Sequence, residues 1–203
     1  CFVDDVCIFS KDDKYHMHYL EFIFNLMEKA NLSLRPDKCQ IGRREVEYLG
    51  VVMSAKGMRI SPNKVKALHE APRPKDAAGV RRFLGQANFH RAWIPNFAMH
   101  SEHTAANLKK DVKFEWDDRH DKEYDYILKH ISSESSLVPF SFSRDVYLRC
   151  DASSKGYGCK LFQLYDGVER AVHYASKRLT STEAKRPARD LEAGCVCFGL
   201  LKF

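Results

Sequence analysis

Strand-like and helix-like stretches follow one another in mixed order through most of the sequence, and the last sixty residues read as three strands and a helix. This order predicts an α+β assembly followed by an α/β domain. Three observations carry the prediction. Apolar residues recur at helical spacing in several windows, as in Met17, Leu20, Ile23, Phe24 and Met27. Short β-rich runs are punctuated by turn residues, as at Ala55-Lys56-Gly57 and Asp166-Gly167. Proline interrupts the chain at Pro62, Pro72, Pro74 and Pro95, positions where helices begin or end.

In chain order, the apolar runs Cys1 to Val3 and Val6 to Phe9 flank Asp4 and Asp5, the pattern of a tight hairpin with acids at its tip. A helix follows, stopped near Asn31. Glu45 to Met53 reads as one strand and Met58 to Ile60 as another. Ser61-Pro62 opens a helix as N-cap and first-turn proline, reaching about Ala71, and Pro72-Arg73-Pro74 marks the main boundary. A helix from Asp76 presents Val80, Phe83, Leu84 and Ala87 on one face and runs to Pro95. Further helices are expected over Asn96 to Lys109 and Asp117 to His130. Val146 to Cys150 is a strand, ended by Asp151; Tyr157 to Leu164 and Arg170 to Tyr174 form a hairpin around Asp166-Gly167; the last twenty or so residues are helical.

The chain has 203 residues, 44% hydrophobic and 30% charged, enough for a sizeable core. No stretch approaches the roughly 20 apolar residues of a membrane span. Apolar pattern begins at Cys1 without an initiator Met and still runs at Leu200, Leu201 and Phe203, so both ends are expected to be cut. The seven cysteines contain no CxxC and are expected to be reduced and mostly buried. His100 and His103 share an expected helical face, but no second ligand pair lies near them, which argues for a partly exposed helix and against zinc.

Charge is unevenly distributed. Between Lys56 and Arg91 lie nine basic residues and two acidic ones, a net of +7, whereas the whole chain carries +6. The remainder is therefore at −1. Such concentration suits a phosphate backbone, and equally a solvated basic face.

Three Asp-Asp pairs occur. Asp12-Asp13 and Asp117-Asp118 sit among charged neighbours, whereas Asp4-Asp5 alone is bracketed by apolar runs. Adjacent carboxylates held beside a core repel one another and lose hydration, so a cation should compensate, and Mg²⁺ suits carboxylate and phosphate oxygens.

Phe2-Val3-Asp4-Asp5 resembles the aromatic-x-Asp-Asp turn of reverse transcriptases, and the following blocks resemble, in order, the Pol polyprotein of gypsy-like LTR retrotransposons. Arg35 to Gln40 is similar to the segment whose lysine, here Lys38, lies near the nucleotide's phosphates. Glu47 to Gly57 resembles the primer grip, with Leu49 and Gly50 holding the primer strand. Arg81 to Phe97 is similar to the thumb signature, which implies Gly85 and Phe89 in the duplex minor groove with Arg81 and Arg82 at phosphates. Asp151 with Ala152 to Gly158 resembles the turn opening an RNase H domain, and counting through His173 to Glu183 puts Glu192 on that family's second catalytic acid. Lys160, Arg186-Pro187 and Gly194 depart from the pattern and read as drift.

The resemblance implies a fold: an α+β palm remnant at 1–71, a helical thumb at 72–110, a connection at 111–143, and a partial α/β RNase H-like domain at 144–203. It also implies RNA-directed DNA polymerisation with RNase H in the parent protein. Phe2 would line the substrate site, and Asp4, Asp5, Asp151 and Glu192 would be the catalytic acids and metal ligands of two-metal sites holding Mg²⁺, with Mn²⁺ as the substitute. Implied partners are an RNA template, an RNA–DNA hybrid, a DNA primer and deoxynucleoside triphosphates, with no membrane. The implied location is a cytoplasmic retroelement particle, with the nucleus as second compartment. Alone, the chain is expected not to polymerise. The competing expectation is a decayed or co-opted, non-catalytic remnant that binds nucleic acid or protein.

Overall fold

The computed structural model describes residues 1–132 and 136–203. From Glu45 onward the chain packs as two three-stranded antiparallel sheets with helices between and beside them, and a long helix precedes this body. Helix α1, Asp13–Lys29, is opened by Asp12, whose carboxylate accepts a hydrogen bond from the Tyr15 backbone N–H at 2.9 Å. It ends at Ala30, and Asn31 follows in the left-handed region at φ 57°. Only Leu20 of α1 is buried.

The expected single strand over Glu45 to Met53 is instead a hairpin. β1 (Glu45–Tyr48) and β2 (Val51–Ser54) pair antiparallel across Leu49-Gly50, at φ 52° and 78°. Two left-handed residues in a two-residue loop match the twist of the flanking strands. Leucine is a rare occupant of that position, so the apolar run hid the turn. β3 (Gly57–Ile60) completes the sheet.

Helix α2, Pro62–Glu70, begins as expected, but Ser61 caps it with its backbone carbonyl alone. The Ser61 hydroxyl is buried without a hydrogen-bond partner among the described residues. Helix α3, Ala77–Phe89, is capped by Asp76, whose carboxylate accepts from Gly79 N–H at 2.6 Å. It stops at Phe89, not Pro95, because a 3₁₀ turn over Arg91–Trp93 takes over. The expected helix over Asn96 to Lys109 shrinks to α4, Glu102–Ala106, after a left-handed Asn96 and a run of turns. His100 therefore lies outside the helix and stacks on Tyr126 with ring centroids 3.5 Å apart, while His103 pairs with Glu123. Helix α5 spans Asp118–Ser132.

One core joins these pieces. Ile60, Leu68, Phe83, Ala87, Ile94, Tyr124, Ile127 and Ile131 form a single buried cluster that runs across Pro72-Arg73-Pro74, so the prolines turn the chain without separating cores. Glu123 fastens α4 to α5: its carboxylate accepts from the backbone N–H groups of His103 and Thr104 and from the Thr104 hydroxyl at 2.7–2.9 Å. Burial opposes the charge on Glu123, but these bonds outweigh it and hold the carboxyl below the usual range.

The second sheet has β4 (Val146–Ala152), β5 (Gly156–Tyr165) and β6 (Val168–Arg178), ordered as numbered and antiparallel throughout. Asp166-Gly167 forms the expected β5–β6 turn at φ 52° and 78°. Helix α6, Ala188–Lys202, covers this sheet through a smaller core of Tyr157, Cys159, Ala175, Leu191 and Cys195. The two sheets meet through Leu137, which exchanges backbone bonds with Met58, and Val138, whose N–H donates to Ala171. Arg91 donates to the Ser176 carbonyl at 2.8 Å and ties the end of α3 to β6. Among the described residues no helix is long and apolar enough to cross a membrane.

Two candidate acidic sites and a basic helix face

At the first turn, Phe2 and Asp5 exchange backbone bonds of 2.9 Å, with Val3 at φ 49° and Asp4 between them. A β-branched residue in the left-handed region costs on the order of 1–3 kcal/mol, and here it turns both carboxylates outward. The expected neighbouring core is not found. Val3 is 81% exposed, Phe9 80% and Phe2 60%, and among the described residues the runs beside Asp4-Asp5 extend no ladder beyond the one bridge. Asp4 and Asp5 are exposed and form no ion pair among the described residues. One long-range bond locates the turn: Tyr48 Oη donates to the Asp5 carbonyl at 3.2 Å. Tyr48 immediately precedes Leu49-Gly50, so the acids and the hairpin tip sit together, a link the sequence left invisible.

The hairpin tip also gathers charge. A β-carbon on Gly50 would meet the Lys64 side chain at 3.5 Å, and Ser61 N–H donates to the Gly50 carbonyl at 3.0 Å. Lys38, in a 3₁₀ turn over Pro36–Lys38, is exposed.

Of the nine basic residues between Lys56 and Arg91, several are engaged internally. Arg73 pairs with Asp121 and, at 3.0 Å, with Asp125, and lies over the Tyr124 ring. Arg59 pairs with Glu45, Lys66 with Glu70, and Arg91 holds β6. Exposed Arg81 and Arg82 remain on α3 beside Gly85 and Phe89. Arg81, Gly85 and Phe89 recur every four residues and form an exposed stripe opposite buried Val80, Phe83 and Ala87. A β-carbon on Gly85 would meet nothing within 4 Å, so helix packing does not explain this glycine. Phe89 is 64% exposed.

The second acidic pair is built on packed structure. Asp151 lies inside β4, one residue before its end, opposite Gly158. Glu192 is exposed on the first turns of α6, and Cys195, one helical turn on, lies 3.3 Å from the Asp151 carbonyl oxygen. Both acids therefore flank the α6–β4 junction. Two departures from the expected pattern acquire physical reasons in place of drift. A side chain at Gly194 would collide with the Tyr157 hydroxyl, and Lys160 pairs with Glu169 at 3.0 Å beside the Phe162 ring. Nothing in the structure explains Arg186-Pro187.

The cysteines are all free, as expected, but not mostly buried: Cys159 and Cys195 are buried, Cys7 and Cys150 half-buried, and Cys1, Cys39 and Cys197 exposed. Burial pushes the Cys159 and Cys195 thiols above the usual range.

Two protein families match this sequence. Residues 1–53 match reverse transcriptase (RNA-dependent DNA polymerase), and residues 116–203 match the RNase H-like domain found in reverse transcriptase. The retrovirus-related Pol polyprotein from transposon 412 of Drosophila melanogaster is 29% identical over 202 residues, covering 100% of this chain. The chain is thus similar to retrotransposon Pol polyproteins, through a reverse transcriptase part and an RNase H-like part. The Tf2-3 transposon polyprotein of Schizosaccharomyces pombe is 27% identical over 193 residues, 95% of the chain. The chain spans 16% and 14% of the length of those two polyproteins. Its fold is that of a part of foamy viral protease-reverse transcriptase. The structure in complex with RNA/DNA hybrid superimposes with a TM-score of 0.82 at 19% identity, over 96% of this chain and 27% of that one. The form in complex with double-stranded DNA gives 0.83 at 20%, over 96% and 34%.

Proposed function

We propose that the protein to which this segment belongs is an RNA-directed DNA polymerase with RNase H, and that the segment supplies one acid pair to each activity and a gripping surface to the nucleic acid. The observation that carries the reading is the exposed Arg81–Gly85–Phe89 stripe, where cationic groups flank a helix face without a β-carbon at its centre. A backbone open at Gly85 can approach a groove, Phe89 can lie against sugars, and Arg81 and Arg82 can meet phosphates. None of these contacts reads base identity, as copying any template requires. The complexes of the foamy viral enzyme with RNA/DNA hybrid and double-stranded DNA support the same partner class.

Asp4 and Asp5 present unpaired carboxylate oxygens at an exposed turn, and Asp151 and Glu192 do so at the α6–β4 junction, so both pairs fit a hard divalent cation such as Mg²⁺ or Mn²⁺. Bound there, such ions would stabilise charge on the attacking and leaving oxygens of phosphoryl transfer. Asp4 and Asp5 hold that charge beside the Leu49-Gly50 tip, which positions the primer's 3′ end, while Lys64 and Lys38 face the phosphates of primer and deoxynucleoside triphosphate. A cytoplasmic retroelement particle is the proposed setting.

The test is affinity for an RNA–DNA hybrid as a function of salt, for the wild-type chain and for Arg81→Ala/Arg82→Ala. Binding should weaken steeply with salt, and the double variant should lose about two phosphate contacts' worth of salt slope equally on all sequences. Affinity indifferent to salt, or to both arginines, overturns the phosphate contacts and leaves a remnant that binds protein.

A further inference from the structure

We infer that Cys150, Cys159 and Cys195 form a three-thiolate site for a soft, closed-shell divalent cation of the zinc type, clasping α6 to the second sheet. Cys150 and Cys159 are directly opposed across β4 and β5, and Cys195 reaches them from α6, so three separate elements deliver one sulfur each. The Cys159 sulfur is 3.8 Å from that of Cys150 and 3.7 Å from that of Cys195, and all three lie within 4.8 Å of one another. The point equidistant from three atoms so spaced and in their plane lies no farther than about 2.4 Å from each, against a zinc–thiolate bond of about 2.3 Å. The sulfurs therefore stand where ligands around one ion would stand, with little movement needed.

The donor set selects the ion. Three sulfurs suit zinc or copper(I) and discriminate against Mg²⁺, which prefers oxygen, so this site is chemically separate from the carboxylates of Asp151 and Glu192. Zinc leaves the smaller uncompensated charge in a buried site, because three thiolates around a divalent ion carry one net negative charge and around a monovalent ion two. Cys150 is half-buried and gives the ion a way in, and a three-ligand site keeps a fourth position for solvent. The sequence concealed the site because its members are separated by nine and by thirty-six residues, unlike the close pairs of zinc motifs. A clasp here would hold the helix bearing Glu192 against the strand bearing Asp151.

The experiment titrates the reduced full chain anaerobically with Co²⁺, reading the sulfur-to-metal charge-transfer band, and then displaces Co²⁺ with Zn²⁺. One equivalent should give a three-thiolate band that Zn²⁺ abolishes and Mg²⁺ does not. The band should persist when Cys1, Cys7, Cys39 and Cys197 are all replaced by serine, and be lost in Cys150→Ser and in Cys195→Ala. Zn²⁺ should raise the melting temperature of the four-serine variant and leave that of Cys150→Ser unmoved. Circular dichroism identifies any variant that fails to fold, and either single variant suffices. Absence of a band in reduced chain means that the thiols only pack, and its loss in the four-serine variant means that surface thiols bind the metal. Either result overturns the site, as does a disulfide between Cys150 and Cys159 that forms in preference to metal binding.

Discussion

The two acidic sites rest on different kinds of support. Asp4 and Asp5 are positioned by a two-residue turn, a pair of backbone bonds and one hydroxyl from Tyr48, with their apolar neighbours open to solvent. Asp151 lies in a strand paired residue for residue with β5, and Glu192 on a helix whose buried side chains fill the same core. The difference teaches that a turn alone can place carboxylates, whereas fixing the strand and the helix that carry Asp151 and Glu192 against one another takes a packed junction. It also predicts unequal responses to mutation.

The largest contrast should come from truncating an apolar residue beside each pair. Leu191→Ala, next to Glu192 and 6% exposed, should cost about 2–5 kcal/mol in denaturant melts. Phe2→Ala, beside Asp4, should change stability by less than about 0.5 kcal/mol. Equal costs would erase the distinction.

Acidification should act on the packed body and spare the turn. His90 and His173 are held below the usual imidazole range by burial, so they stay neutral in the fold. A depressed histidine pKa means that the unfolded chain takes up protons first, and stability falls as pH drops below about 6.5. Glu123, also depressed, contributes stability above the usual glutamate range and loses it as pH falls through its own lower value. Glu123→Gln should cost about 1–3 kcal/mol at neutral pH and flatten the acid limb of the melting profile. An unchanged limb would remove Glu123 from the account.

The glycines sharpen the comparison further. Gly194→Ala should destabilise by about 1–3 kcal/mol, since its methyl would collide with the Tyr157 hydroxyl. Gly85→Ala, with open space around it, should stabilise by up to about 1 kcal/mol while weakening binding to an RNA–DNA hybrid. Gain of stability without loss of binding would argue that no groove approaches α3 there. Smallest of all, Asp4→Asn should leave the melting temperature almost unmoved, within about 0.5 kcal/mol.

Much of the architecture was legible from residue order. The α1, α3 and α5 periodicities, the start of α3 at Asp76 and the Asp166-Gly167 turn are local features, set by side-chain spacing and backbone preference within a few residues. The four acids and the Arg81–Phe89 stripe could likewise be named from their blocks. Local rules failed where tertiary contacts overrode them, as when Leu49 took a left-handed conformation and Asn96 to Lys109 broke into turns.

The sequence by itself therefore determined which elements form and which carboxylates and basic groups the chain can offer, because those depend on near neighbours. The tertiary structure alone decided which charges are spent internally, as Arg73 is on Asp121 and Asp125, and which remain for a ligand. It also brought Tyr48 to Asp5 and three distant thiols to one point. Such meetings depend on strand register and helix placement, where a shift of one residue would send the same side chains to opposite faces.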